Sequence, residues 1–246
     1  MIVVERLAKS FGTVQALHDV SFTAHDGRIT GLLGANGAGK STTLRIVSTV
    51  LHADRGHALV DGHDCARETL VVRRSLGVLP HASGIYPHLT ARENIHYYGE
   101  LHGLDKATID ARIETWSQRL DMNEFLERRT QGFSHGQKLK VALARSLVHA
   151  PRNVILDEPT SGLDVASTRA LRDVIRGLKE DGCCVLFSSH IMQEVGALCD
   201  DIVIIARGRV VASGSPDQIL AATGASNLED AFMRASGDQS PDEAVA

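Results

Sequence analysis

Eight consecutive residues, Gly34-Ala35-Asn36-Gly37-Ala38-Gly39-Lys40-Ser41, fit the pattern G-x-x-x-x-G-K-[ST]. Each position has a chemical reason. Glycines lack the Cβ that forbids tight, left-handed turns, so successive backbone N–H groups can converge on one concave face and grip phosphate oxygens. The helix expected to follow aims its N-terminus at the same anion. Lys40 supplies a point charge for the β- and γ-phosphates, and the Ser41 hydroxyl supplies a hard oxygen ligand for Mg²⁺. Thr42, next along the helix, offers a further donor to the α-phosphate. Gly34, Asn36, Gly37, Ala38, Gly39, Lys40, Ser41 and Thr42 are therefore candidate nucleotide-binding residues. A glycine-rich turn can precede a helix without binding anything. Here an apolar strand leads in and a helical pattern leads out, the setting that phosphate binding requires, and ATP or GTP binding is the reading.

A second cluster follows much later in the chain. Val154-Ile155-Leu156-Asp157-Glu158 places two acids at the carboxyl end of a short apolar run. In open α/β sheets ligands bind beyond the carboxyl ends of the strands. Two charges can also end a strand simply because it meets solvent. Beside the glycine cradle they acquire roles: Asp157 would hold Mg²⁺ opposite Ser41, usually through water, and Glu158 would orient or deprotonate an attacking water.

The elements that must hold these groups read as follows. Strands are expected at 2–4, 21–24 and 28–33, a helix at about 40–50, and a pair of strands at 58–60 and 76–79. Thr90-Ala91-Arg92-Glu93 is a capping box that should start a helix through Leu101, and a second helix is expected at 106–120. The mostly helical stretch of about 81–149 looks like a subdomain inserted into a single domain spanning 1–236. Strand and helix then alternate: strand 154–156, helix 165–180, strand 185–188, a helix after His190 and strand 202–206. Such alternation implies a parallel sheet covered on both faces. Residues 237–246 are small, acidic and contain proline, and a frayed tail is expected there.

Composition narrows the class. The chain has 246 residues, 43% hydrophobic and 23% charged, as in ordinary globular proteins. A net charge of −4 and 4% aromatic residues offer neither the basic face nor the stacking platforms of a nucleic-acid binder. No signal-peptide pattern opens the sequence, and no apolar stretch approaches the roughly 18 to 20 residues that cross a bilayer. Cys65, Cys183, Cys184 and Cys199 show no CxxC spacing or disulfide framework, so a reducing cytoplasm and core packing are expected. The remaining histidines show no metal-ligand spacing.

With these residues in place, the sequence resembles the nucleotide-binding subunits of ATP-binding cassette (ABC) transporters over nearly its whole length. Phe11, in Lys9-Ser10-Phe11-Gly12, matches the aromatic that stacks on adenine in that family. Phe133-Ser134-His135-Gly136-Gln137 resembles the signature usually written LSGGQ. Pro159-Thr160-Ser161-Gly162-Leu163-Asp164 resembles the D-loop, which contacts the second subunit, and His190 after Ser188-Ser189 resembles the switch histidine at the γ-phosphate. The resemblance implies an α/β P-loop fold: a mixed sheet core, an antiparallel β subdomain and the inserted helical subdomain. It also implies an ATPase that uses ATP and Mg²⁺ and pairs with a second copy of itself or with a similar partner. Ser134, His135, Gly136 and Gln137 of each copy would then face the ATP of the other. Ser134 and Gln137 also have the spacing of a capping box, so the same residues should start a helix.

Two signature-level departures stand out. The family carries a glutamine after strand 76–79, where it touches Mg²⁺; here His81 occupies that place in Leu79-Pro80-His81-Ala82. Imidazole is a softer ligand than Mg²⁺ prefers, and histidine charge can change near neutrality, which would make coupling sensitive to pH. His135 replaces the first glycine of the signature. Partner expectations follow the family: a separate membrane permease docking near residues 81–88 and the helical subdomain, a peripheral place on the inner membrane face, and no nucleic acid. The stretches 79–94 and 227–232 are most similar to sodium-extrusion cassettes, with multidrug exporters next. Two alternatives stay open. One is a soluble cassette ATPase that transports nothing, although the tandem cassettes and long coiled-coil insertions of such proteins are not seen. The other is a weakly hydrolysing nucleotide switch.

Overall fold

The computed structural model describes residues 1–82 and 84–237; the frayed tail expected beyond Gly237 lies outside the described residues. The strands are β1 (Ile2–Phe11), β2 (Val14–Ala24), β3 (Ile29–Leu33), β4 (Arg55–Val60), β5 (His63–Asp64), β6 (Leu76–Leu79), β7 (Asn153–Asp157), β8 (Cys184–Ser189), β9 (Asp201–Ala206) and β10 (Arg209–Gly214). The helices are α1 (Lys40–Val47), α2 (Thr69–Ser75), α3 (Ala91–Leu101), α4 (Lys106–Arg119), α5 (His135–Leu147), α6 (Val165–Glu180), α7 (Met192–Leu198), α8 (Pro216–Thr223) and α9 (Leu228–Ser236).

All strands join one mixed sheet in the order β5-β4-β1-β2-β10-β9-β3-β8-β7-β6. Strands β9, β3, β8, β7 and β6 run parallel, whereas β2, β1, β4 and β5 form an antiparallel arm. Burial explains the split. Every residue of β3, β7 and β8 is buried, which is what a parallel strand covered on both faces demands. Because successive side chains point to opposite faces, one strand feeds two cores. Val154 and Leu156 of β7 pack with Phe187 and the helices α3 to α6. Ile155 faces the other way, toward Leu186, Leu44 and Val47.

The antiparallel arm is longer than its sequence suggests. The strands expected at 2–4 and 21–24 extend into a hairpin closed by Gly12 and Thr13, with Phe11 opposite Val14. Register shifts after Val4 and the left-handed Arg6 (φ 49°) break the alternation that would have marked the strand. The strands expected at 58–60 and 76–79 both form, but not side by side. Strand β4 pairs with β1 and β6 with β7, at opposite ends of the sheet, because α2 separates them and carries the chain across. Strand β10 returns antiparallel to β9 through Arg207 and Gly208, both left-handed. A Cβ on Gly208 would lie 2.6 Å from the Ala16 carbonyl, so glycine is required at that turn.

Helices α3, α4 and α5 pack together over the sheet edge carrying β6 and β7. Thr90 caps α3 through the anticipated capping box. Arg145 of α5 lies over the Tyr98 ring at 4.3 Å and donates to the Gly84 carbonyl. At the far end of α3 and α5, the His102 and His149 rings stack 3.7 Å apart, 6° from parallel. His149 Nε2 must be the protonated nitrogen, since it donates to the Leu76 carbonyl at 3.2 Å. Burial, with His102 as close neighbour, pushes the His149 pKa down to about 4.

That shift sets a pH dependence. A histidine that binds protons more weakly folded than unfolded costs nothing above its ordinary value of 6.5 and destabilises progressively as pH falls from there toward 4. The cost reaches on the order of 2 kcal/mol with the ring partly exposed. Thermal unfolding of His149→Gln is therefore expected to show a smaller loss of midpoint between pH 7 and pH 5 than the native chain.

Candidate active site

The buried strand β3 delivers the glycine loop to the carboxyl edge of the sheet. A Cβ on Gly34 would sit 2.4 Å from the Ile205 carbonyl oxygen, and Gly39 is held at φ +112° with Leu17 2.6 Å from its missing Cβ. No other residue fits either place. Gly37 (φ +81°) turns in open space, and Ala35, Asn36 and Gly37 are exposed while Ala38 is buried. Gly39 precedes α1 without a side-chain cap, which leaves the first N–H groups of the helix facing the loop. Thr42 stands in the first turn, half buried.

Lys40 is only 4% exposed and curls back over the loop. Its Nζ donates to the carbonyls of Gly34 at 2.8 Å and Ala35 at 3.2 Å. Ser41 Oγ donates to Asp157 Oδ1 at 3.2 Å, so the loop and the end of β7 meet through a hydroxyl and a carboxylate. These are the hard oxygen donors that suit Mg²⁺, and the pair fits that ion.

Strand β8 fastens the acids. Ser188 Oγ donates to Asp157 Oδ1 at 2.7 Å and accepts the Glu158 N–H at 3.0 Å. Glu158 itself adopts φ 50°, a conformation a non-glycine residue takes at a cost. The bend turns its carboxylate, 15% exposed, into a ring of basic groups. Lys40 Nζ and His190 Nδ1 lie 3.5 Å and 3.4 Å from Oε1, and His81 Nδ1 lies 3.9 Å from Oε2. The structure thus brings Lys40, Ser41, Asp157, Glu158, His190 and His81 to one place.

Phe11 is half exposed at the tip of the β1–β2 hairpin, with Lys9 Nζ 5.7 Å from its ring centroid. The signature residues form a second cluster. Ser134 caps α5 through a reciprocal box, accepting the Gln137 N–H at 3.2 Å while Gln137 Oε1 accepts the Ser134 N–H at 3.0 Å. His135 Nε2 donates to the Ser161 carbonyl at 3.0 Å. Gly136 backs onto Ser167, and Gly162 turns at φ +75° beside the His135 ring. Leu163 packs against the core, and Asp164 caps α6. Hydrogen bonds from the Ser167 N–H and hydroxyl hold the Asp164 carboxyl below its usual range. Among the described residues, no hydrogen bond or ion pair joins Ser134, His135, Gly136 or Gln137 to the glycine loop.

One further residue of the cluster escaped sequence reasoning as a functional group. Ser188 was visible only as the context of His190; nothing in its type or spacing says that it braces two acids on the neighbouring strand.

A glycine loop at a strand-to-helix junction, closed over by strand-end acids, defines the P-loop class of nucleotide-hydrolysing α/β proteins. Within that class the assignment is narrower. A family profile described as ABC transporter matches residues 17–161, and the chain belongs to that family, as an ATP-binding subunit with ATPase activity. The ABC transporter ATP-binding protein NatA of Bacillus subtilis (strain 168) is 42% identical over 221 residues, covering 89% of this chain and 90% of that protein. The daunorubicin resistance ATP-binding protein DrrA3 of Streptomyces coeruleorubidus is 34% identical over 236 residues, 96% of this chain and 74% of its own length. Among solved structures, an ATP binding subunit of an ABC transporter superposes with a TM-score of 0.89 at 28% identity, over 96% of this chain and 99% of that one.

Removing the Ser188 brace tests the geometry. Ser188→Ala strips Asp157 of a 2.7 Å donor and removes one of the two acceptors of the Glu158 N–H, leaving the Ser188 carbonyl at 3.2 Å. A stability loss of about 1–2 kcal/mol is expected by thermal unfolding. The hydrolysis rate should fall about ten-fold, a loss greater than that decrease in stability explains.

Proposed function

We propose that this ATPase subunit powers export through a separate membrane permease, closing head to tail with a second copy of itself around two ATP molecules. The observation that carries the reading is the division of one chain into two half-sites. The loop 34–41, with Asp157, Glu158 and His190, can cradle and attack a triphosphate, while the capped start of α5, a second helix N-terminus, has no hydrogen bond or ion pair to that loop among the described residues. A second copy in two-fold relation would set each α5 start against the other's phosphates, since such an interface is self-complementary.

In this cycle Lys40 and the backbone of Gly34, Asn36, Gly37, Ala38 and Gly39 bind the phosphates, with Ser41 and Thr42 on the helix start. Ser41 and Asp157 would hold Mg²⁺, which when bound neutralises phosphate charge. Glu158 takes a proton from the attacking water, and His190 beside it donates to the γ-phosphate. His81 approaches the same carboxylate from the helical side and links it to residues 79–82. Phe11 stacks on adenine, Ser134, His135, Gly136 and Gln137 cover the partner's ATP, and Ser161, Gly162, Leu163 and Asp164 meet the partner chain.

The permease contact has its own support. A groove of about 900 Å³ opens between α1, α2 and α3, lined by Val50, Leu70, Leu101, Arg74 and His81. Val50, Leu70 and Leu101 are exposed, an apolar rim that favours transport over a soluble, non-transporting cassette. No helix of the described residues is long and apolar enough to cross a membrane. We place the chain on the inner membrane face, held by the permease. The resemblance of residues 79–94 and 227–232 to sodium-extrusion cassettes, with drug-resistance proteins among its relatives, favours sodium ions or drugs as cargo.

Two measurements test this. Glu158→Gln is expected to slow hydrolysis at least about 100-fold and to elute as a dimer in ATP and Mg²⁺, reverting to monomer when the metal is chelated. An active Glu158→Gln protein, or one that binds ATP and never dimerises, would overturn the cycle. Leu70→Glu should shift the chain from the membrane fraction of cells to the soluble one while ATP binding by the purified protein stays intact.

A further inference from the structure

Behind His190 lies a carboxylate that the cycle above does not use. Glu194, in the first turn of α7, is 7% exposed. Among the described residues no cation pairs with it. Two hydroxyls hold it instead, both donating to the same oxygen: Thr160 Oγ1 to Oε2 at 2.6 Å and Ser189 Oγ to Oε2 at 3.2 Å. Burying a carboxylate on so few partners is expensive, and an apolar side chain would serve packing better. The position of its partners gives the reason. Thr160 opens the segment 161–164, in which Gly162 and Asp164 are exposed, and Ser189 immediately precedes His190. The Ser189 hydroxyl, having donated to Glu194, accepts the Ile191 N–H at 3.0 Å, so it clamps the backbone on both sides of His190. At the other end, the Ser161 carbonyl accepts from His135. Hydrogen bonds and the one peptide link between Ser161 and Thr160 therefore lead from the start of α5, through Thr160 and Glu194, to the turn that presents His190 to Glu158.

We propose that Glu194 is a positioning residue which ties the partner-facing segment 161–164 to His190, so that hydrolysis answers to contact with the second copy. The inference rests on the roles given to Glu158 and His190 in the cycle proposed above. When the segment shifts, Thr160 moves the carboxylate, the carboxylate moves Ser189, and the turn carrying His190 follows. A run of contacts is only a route; its function requires that displacement at one end be felt at the other.

Thr160→Val tests it with least disturbance, because valine keeps the shape and removes the donor. The expected result is about a ten-fold loss in kcat, an unchanged KM for ATP, and an unfolding midpoint within about 2 °C of the native chain. Glu194→Gln, whose amide oxygen can accept from both hydroxyls, should retain most of the rate, whereas Glu194→Ala should lose it. The ring signals of His190 in NMR spectra, assigned by His190→Gln, should move in Thr160→Val, which a purely structural role would not require. Unmoved His190 signals overturn the inference whatever happens to the rate. So does a kcat within two-fold of native, or a loss confined to KM. The Glu158→Gln control separates the two readings: if that variant still hydrolyses ATP the cycle fails, whereas if it is silent while Thr160→Val is normal, only the Glu194 relay fails.

Discussion

The site depends on the register in which three parallel strands end. Leu33 of β3 lies opposite Ser189 of β8, and Asp157 of β7 lies opposite Ser188. These pairings put the glycine loop, the Asp157 carboxylate and the brace hydroxyl at one level on the carboxyl edge of the sheet. Side chains alternate with a period of two, so a slip of one residue would turn Asp157 into the sheet face and Ser188 away from it. The register is held by burial on both faces: Val154 and Leu156 belong to one core, Ile155 to the other, and neither can be exchanged without exposing apolar surface. Chemistry at the edge is thus positioned by packing in the middle.

From that edge the electrostatics follow. Three basic groups, Lys40, His190 and His81, converge on the Glu158 carboxylate. Each arrives on a different element: the first turn of α1, the turn after β8, and the stretch leaving β6. Any motion that separates the helical layer from the sheet therefore changes the surroundings of one acid. The start of α5, with Ser134, is tied to the segment 158–164 by the hydrogen bond from His135 to the Ser161 carbonyl. That segment leads directly to the acid, and on the cycle proposed above it is where contact with another chain and events at the acid can influence each other.

What the sequence made legible was what periodicity and motif spacing encode locally. The all-buried runs of β3, β7 and β8 are continuous apolar stretches, and Thr90, Ser134 and Asp164 cap their helices through side chains three residues apart. The antiparallel arm was harder to see, because bulges at Arg6 and after Lys9 interrupt its alternation and half of it faces solvent. Strand pairing at long range, as between β4 and β1, has no local signature at all. The capping box at Ser215 and the glycine stop at Gly224 are local signals of the same kind for α8. Among site residues, the phosphate loop and the acids were readable because their spacing is dictated by the ligand. Ser188 and Glu194 were not, since what they do is decided by residues 31 and 34 positions away.

Glu158 occupies a left-handed backbone position, φ 50°, which L-residues with a Cβ adopt only at a cost of about 1 kcal/mol. Glycine would relax that strain, and asparagine would tolerate it better than glutamate does. The fold would accordingly be more durable without the acid than with it. Laboratory selection for thermal endurance alone, or idle inheritance in a lineage that no longer needs the work, would run downhill at this position toward a tougher protein and, on the cycle proposed above, a silent one. Keeping glutamate there requires continued pressure on the reaction itself, which makes position 158 a sensitive place to read whether a descendant of this chain is still an engine or has become a remnant.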